Sequence, residues 1–193
     1  MSARERFTFY ISRLARLLLE PGREWKVIRD EPPGGVTLFR DFIVSPCAYL
    51  SAIAALLRWT TDSLHVAIRW GIINFIACTV GGYLAFRVAR KFLATDVARA
   101  GHVALQLITY TATVYLFFRS LSMGFPSRSV LGELLAVLGL YSFYTLYTGL
   151  RVITSLPAAR VQNICLITGM VTVILPFVLT RLLAIAFRVP III

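Results

Sequence analysis

The sequence predicts an all-α integral membrane protein: five transmembrane helices preceded by an N-terminal amphipathic interfacial helix. Three observations carry this. First, 58% of the 193 residues are hydrophobic and 15% charged, against about 45–50% apolar and roughly a quarter charged in an average soluble domain. Second, the apolar residues fall into five long runs. Third, the net charge of +11 is carried almost entirely by arginines at the edges of those runs, where guanidinium groups reach lipid headgroups.

Residues 4–20 open the chain. Phe7, Tyr10, Ile11, Leu14, Leu17 and Leu18 follow helical 3–4 spacing, with arginines between them; a signal peptide has an uninterrupted apolar stretch instead. The pattern predicts a helix lying in the interface, with Arg6, Arg13 and Arg16 on anionic headgroups. The alternative is a helix packed on the end of the protein's own bundle. Pro21-Gly22 is expected to end this helix. Residues 23–31 then read as a second short surface helix, closed by Pro32-Pro33-Gly34-Gly35, with Trp25 as an interfacial anchor.

The five runs are Phe39–Leu57, Val66–Phe86, Val103–Phe118, Val130–Leu150 and Ile164–Phe187. Each approaches the roughly 20 apolar residues needed to cross a bilayer, and backbone polar groups in lipid must bond within their own segment, so the runs are read as helices. Short loops make consecutive spans antiparallel neighbours. The chain divides into a segment 1–36 and a five-helix bundle 37–193. With alternating loops, 14 of the 20 basic residues share the side of the N-terminus, which the positive-inside rule places in the cytoplasm, with the C-terminus across the membrane. A bacterial inner membrane is the expected location.

Several polar residues sit within or beside the spans. Asp41 is expected to cap the first span, and Glu133 to pair with Arg128 at the interface. Arg181 is expected to mark the end of the fifth span by snorkelling. Asn74 and Gln106 should bond across helices, and Gly71, Gly81 and Gly82 should allow close approach. The fourth span carries hydroxyls at Tyr141, Ser142, Tyr144, Thr145, Tyr147 and Thr148 in two adjacent stripes. Tyr141, Tyr144, Thr145, Thr148 and Glu133 form a candidate polar intramembrane face, serving either helix packing or a lipid or solute groove. Cys47, Cys78 and Cys165 lie in separate runs without metal-ligand spacing, so neither metal nor cofactor is expected. No nucleophile–base arrangement or phosphate loop is present, and no soluble domain is long enough to bind nucleic acid.

The stretch Leu-Leu-Leu-Glu-Pro-Gly-Arg-Glu-Trp-x-x-Ile-x-x-Glu-Pro (Leu17 to Pro32), followed by five close spans, resembles the prokaryotic branch of the Yip-domain family. Pro21, Trp25, Ile28 and Glu31 carry that resemblance. So do Asp41 with Pro46, and the run from Tyr141 to Leu150 with Leu156-Pro157 after it. Two places depart from the pattern: Val114 stands where many relatives have a proline after the tyrosine of the third span, and the Asp41–Pro46 spacing is long. Eukaryotic members interact with Rab GTPases. The resemblance implies a non-enzymatic role in membrane organisation, as a scaffold or interaction partner of another membrane protein or of a second copy. The alternative is a small transporter, channel or lipid-handling protein using the polar face of the fourth span.

Overall fold

The computed structural model describes residues 3–31, 35–97, 99–125 and 129–189. Among them the secondary structure is helical, with no strand. Two short helices, α1 (Ala3–Leu19) and α2 (Pro21–Arg29), precede five helices long and apolar enough to cross a membrane. These spans are Thr37–Trp59, Leu64–Leu93, Ala100–Met123, Val130–Ile153 and Ala158–Ala186. Pro21 opens α2 rather than ending α1. It occupies a first-turn position, where the missing N–H has no partner to lose, so the second helix starts two residues earlier than expected.

The third span is the most deeply buried of the five. It packs against the first, second and fourth spans and against α1, while the fifth span lies along the second. Asn74 of the second span shows how three of these are tied: its Nδ2 donates to Ser51 Oγ of the first span (2.9 Å) and Ser120 Oγ of the third (3.0 Å). Close approach depends on glycine, as the sequence suggests. A Cβ at Gly71 would stand 3.1 Å from Ser51 O, and one at Gly81 would stand 2.7 Å from the Pro176 ring of the fifth span.

The first span departs from regular geometry at Arg40–Val44, where the helix widens into a π turn. Pro46 is the cause: it has no N–H to give Phe42 O. Thr113 Oγ1 of the third span donates to that carbonyl instead (3.1 Å). Helix begins already at Gly35, so Asp41 lies inside the wide turn, beside Arg40 (3.1 Å), and is not the expected N-cap. The fourth span is also irregular. It is broken at Gly139–Leu140 into Val130–Leu138 and Tyr141–Ile153, whereas its hydropathy alone suggests one continuous helix. The fifth runs beyond Arg181 to Ala186; Arg181 is exposed and its guanidinium lies over the Phe177 ring (5.4 Å). At the other end, Arg160 Nε donates to Asp96 (2.9 Å), joining the loop after the second span to the start of the fifth on the side of α1 and α2.

Candidate functional site

The site is the place where α1 and α2 seat on the bundle. Helix α1 presents Tyr10, Leu14 and Leu17 inward; with Trp25 and Ile28 of α2 they enter the same hydrophobic cluster as Phe42, Leu107, Tyr110, Leu146 and Leu150 of the spans. Segment 1–36 and the bundle therefore share one core. Of the two sequence readings of α1, packing on the bundle describes this face.

Arg13 falls on the same inward stripe, three residues after Tyr10 and four before Leu17. Its side chain is 4% exposed. A guanidinium removed from water needs counter-charge, and α2 supplies it: Nη1 donates to Glu24 Oε1 at 2.5 Å and Nη2 to Glu31 Oε1. Tyr110 OH of the third span donates to the other Glu31 oxygen (2.9 Å). The guanidinium also lies over the rings of Phe9 (5.1 Å) and Tyr110 (5.5 Å), a favourable cation–π geometry. One arginine thus joins α1, α2 and the third span.

Trp25 is fully buried. Its Nε1 donates to Thr145 O of the fourth span (2.9 Å), and its six-membered ring fills the space above Gly149, where a Cβ would stand 2.6 Å from Trp25 Cε2. Gln106 Nε2 donates to Ile28 O (2.9 Å), a carbonyl in the last turn of α2 that also accepts from Glu31 N (3.2 Å). The Pro-x-x-x-Trp-x-x-Ile-x-x-Glu run is thus a docking device: Pro21 starts the helix, Trp25 keys it to the fourth span, and Ile28 and Glu31 fix its end to the third.

These contacts correct two expectations. Arg13 does not face headgroups and Trp25 is not an interfacial anchor. Both are held inside the protein, Arg13 by the carboxylates of Glu24 and Glu31 and Trp25 by the carbonyl of Thr145. Arg16 stays exposed, 3.9 Å from Glu24 Oε2, and the side chain of Arg6 lies outside the described residues. On the fourth span, Tyr141 OH donates to Leu18 O of α1 (3.0 Å). Thr145 Oγ1 donates to Tyr141 O (3.3 Å) and Thr148 Oγ1 to Tyr144 O (2.8 Å). Tyr144 points outward, 55% exposed. Glu133 is exposed in the first turn of the Val130–Leu138 helix, and Arg128 lies outside the described residues. The three cysteines are free and buried.

The outer surface of the same two helices is chemically different. Phe7, Ile11, Leu19 and Val27 are exposed apolar side chains, flanked by the exposed Arg16, Arg23, Lys26 and Arg29. A groove of about 380 Å³ between α1 and α2 is lined by Arg16, Leu19, Arg23 and Val27, among others. Nearer the first span, Tyr10 borders a smaller cavity with Arg40, Asp41 and Pro46. Burial pushes its phenol far above the ordinary tyrosine range, so it stays neutral.

Sequence reasoning passed over Tyr110 and Glu24 as partners of Arg13. The available signal was spacing: Arg13 lies within the Tyr10–Leu14–Leu17 stripe, and a charge on an apolar stripe requires a partner. It also passed over Arg119, four residues before the end of the third span, as more than one charge in the topology tally.

The family model for the Yip1 domain matches residues 15–180. That stretch takes in α2 and the five spans as far as Thr180, and so includes every docking residue from Pro21 to Glu31. Searches of curated proteins and of solved structures gave no match.

Proposed function

The chain belongs to the Yip1-domain family, and from that premise we propose that this multi-pass membrane protein is a membrane-organising scaffold whose α1–α2 unit is the interaction platform. The observation that carries the reading is the contrast between the two faces of that unit. Inside, Arg13, Glu24, Glu31 and Trp25 lock it to the bundle. Outside, exposed apolar side chains alternate with Arg16, Arg23 and Lys26. A platform fixed in advance loses little freedom on engaging a partner, and its composition suits anionic headgroups or an acidic segment of a membrane-protein partner. The basic bias of the loops on this side supports a cytoplasmic platform, with the chain in a bacterial inner membrane.

Removing residues 1–36 would strip Trp25 and Ile28 from the core, so the test uses surface substitutions. Arg16→Glu/Arg23→Glu/Lys26→Glu reverses the outer charge and keeps Arg13, Trp25 and Ile28 in place. Arg16 also stands 3.9 Å from the buried Glu24, so Arg23→Glu/Lys26→Glu serves as the control that spares that contact. Each basic side chain near an anionic surface contributes about 1 kcal/mol, so the triple reversal should abolish association. Cross-linking in native membranes, followed by intact mass of the purified complex, reads the outcome. The wild type should carry a defined partner or second copy that the variant lacks. If both carry the same complement, the platform reading fails.

A further inference from the structure

Arg119 lies on the third span one turn before Met123, on the side of the bundle away from α1 and α2. Its Nη2 donates to Pro176 O (3.2 Å) and Thr180 Oγ1 (2.5 Å) of the fifth span, and its Nε is buried without a partner. No carboxylate of the described residues forms an ion pair with it. An ionisable residue inside a span is costly and ordinarily has a counter-charge or a functional ligand. Here the protein supplies neutral groups alone, the Pro176 carbonyl and the Thr180 hydroxyl, with the Cys78 thiol and the Tyr115 hydroxyl beside them.

Beside the guanidinium is a cavity of about 350 Å³ between the third, fourth and fifth spans. Its floor holds Arg119, Ser122 and Tyr115, whose hydroxyl is already committed to Val173 O (3.0 Å). Its mouth is formed by Leu140, Ile174 and Phe177, which are 49%, 44% and 51% exposed and face the surrounding membrane.

We propose that this cavity is a binding site for an anionic phospholipid of the leaflet away from the N-terminus. The phosphate sits against Arg119 and Ser122, and the acyl chains leave through the gap between Leu140 and Phe177. The volume suits a headgroup and the first acyl carbons, while the tails stay in the bilayer. A single cation set in a polar floor, with a lateral apolar exit, matches an amphiphilic anion. A freely diffusing one would need an aqueous entrance, and the mouth here is apolar. The site is separate from the α1–α2 platform, and either can fail without the other.

The test uses the full chain in nanodiscs of phosphatidylcholine with a minor fraction of phosphatidylglycerol, followed by mild extraction and native mass spectrometry. The wild type should retain phosphatidylglycerol. Arg119→Gln should lower retention by about tenfold or more, the scale of a lost charge-assisted hydrogen bond. Ala136→Phe fills the cavity from an exposed lining position, leaves Arg119 in place, and should lower retention equally. Arg16→Glu/Arg23→Glu/Lys26→Glu should retain the lipid as the wild type does. Equal retention by the wild type and both cavity variants overturns the site. Arg119-dependent retention of oleate with loss of phosphatidylglycerol overturns the phospholipid assignment. Displacement of the lipid by low concentrations of inorganic phosphate overturns the amphiphile assignment.

Discussion

Arg13 and Arg119 are both turned into the protein, at opposite ends of the bundle, and both keep an Nε–H without a partner. Their counter-charges differ completely. Arg13 has two carboxylates, a tyrosine that fixes one of them, and two aromatic faces. Arg119 has a carbonyl and a hydroxyl, with open volume beside it. The first arrangement is closed, its charge spent on joining three helices. The second is chemically incomplete. The lesson is that the partners of an arginine turned inward, more than its depth, distinguish the structural role of Arg13 from the binding role proposed for Arg119.

That difference is broken or upheld first by stability. Arg13→Met leaves the buried Glu24 facing Glu31, whose side chain is 26% exposed, with no cation between them. Breaking a buried ion pair by removing one partner costs about 3–5 kcal/mol, whereas replacing all members with apolar groups is often neutral. Arg13→Met should therefore be the most destabilising single change considered, and Arg13→Met/Glu24→Met/Glu31→Met should recover most of the loss. Arg119→Met strands no carboxylate and should move stability by under about 1 kcal/mol. Unfolding in detergent, followed by circular dichroism, compares all three variants. Equal losses for the two single substitutions would erase the distinction drawn between these arginines.

A smaller effect sharpens the first half of the comparison. Gly149→Ala places a methyl 2.6–2.7 Å from the Trp25 ring and 2.9 Å from Leu107 Cδ2. The indole cannot slide away without giving up its bond to Thr145 O. Overpacking of this kind costs about 1–3 kcal/mol. Here it should fall mainly on the seat of α2, with a smaller strain where Gly149 of the fourth span meets Leu107 of the third. In a Trp59→Phe/Trp70→Phe background, Trp25 emission should shift to the red and limited proteolysis near Arg23 should accelerate while the spans stay protected. An unchanged spectrum would mean that Trp25 does not key α2 to the fourth span.

Much of the architecture was legible before the coordinates, for a physical reason: a bilayer leaves helices as the only way to satisfy a long apolar backbone. Composition and run length therefore gave the five spans, and the identities of Asn74, Gly71 and Gly81 gave some of their close crossings, though not the tightest, at Gly169 against Phe143. The site was less legible. Helical spacing shows that α1 has an apolar stripe but not whether lipid or protein covers it, and that choice decides the fate of Trp25. Local irregularities were hidden for a similar reason. The π turn at Arg40–Val44 follows from Pro46, yet the freed carbonyl is met by Thr113, remote in sequence, whose hydroxyl is shared with Thr109 O. The break at Gly139–Leu140 lies in a run whose hydropathy is unremarkable, and the cavity beside Arg119 left no trace in the pattern. Arg119 itself was visible, but its lack of a carboxylate is a three-dimensional fact.

The smallest expected effect sets the baseline for both arginines. Asn74 joins three spans through neutral hydrogen bonds to Ser51 and Ser120, a connectivity comparable to that of Arg13. If number of links determined stability, Asn74→Leu would cost as much as Arg13→Met. Charge argues otherwise. Interhelical hydrogen bonds in membranes average about 0.6 kcal/mol and reach about 1.7, because separated helices also find partners for their polar groups. The two serines left behind can turn back to carbonyls of their own helices, as Thr113 and Thr172 already do. Glu24 and Glu31 would keep only Arg16 at 3.9 Å and the Tyr110 hydroxyl, too little for two carboxylates set side by side. Asn74→Leu should therefore cost about 0.5–1.5 kcal/mol in the same unfolding experiment, well below Arg13→Met. A loss as large as that of Arg13→Met would show that linkage among helices, rather than uncompensated charge, controls the stability of this bundle.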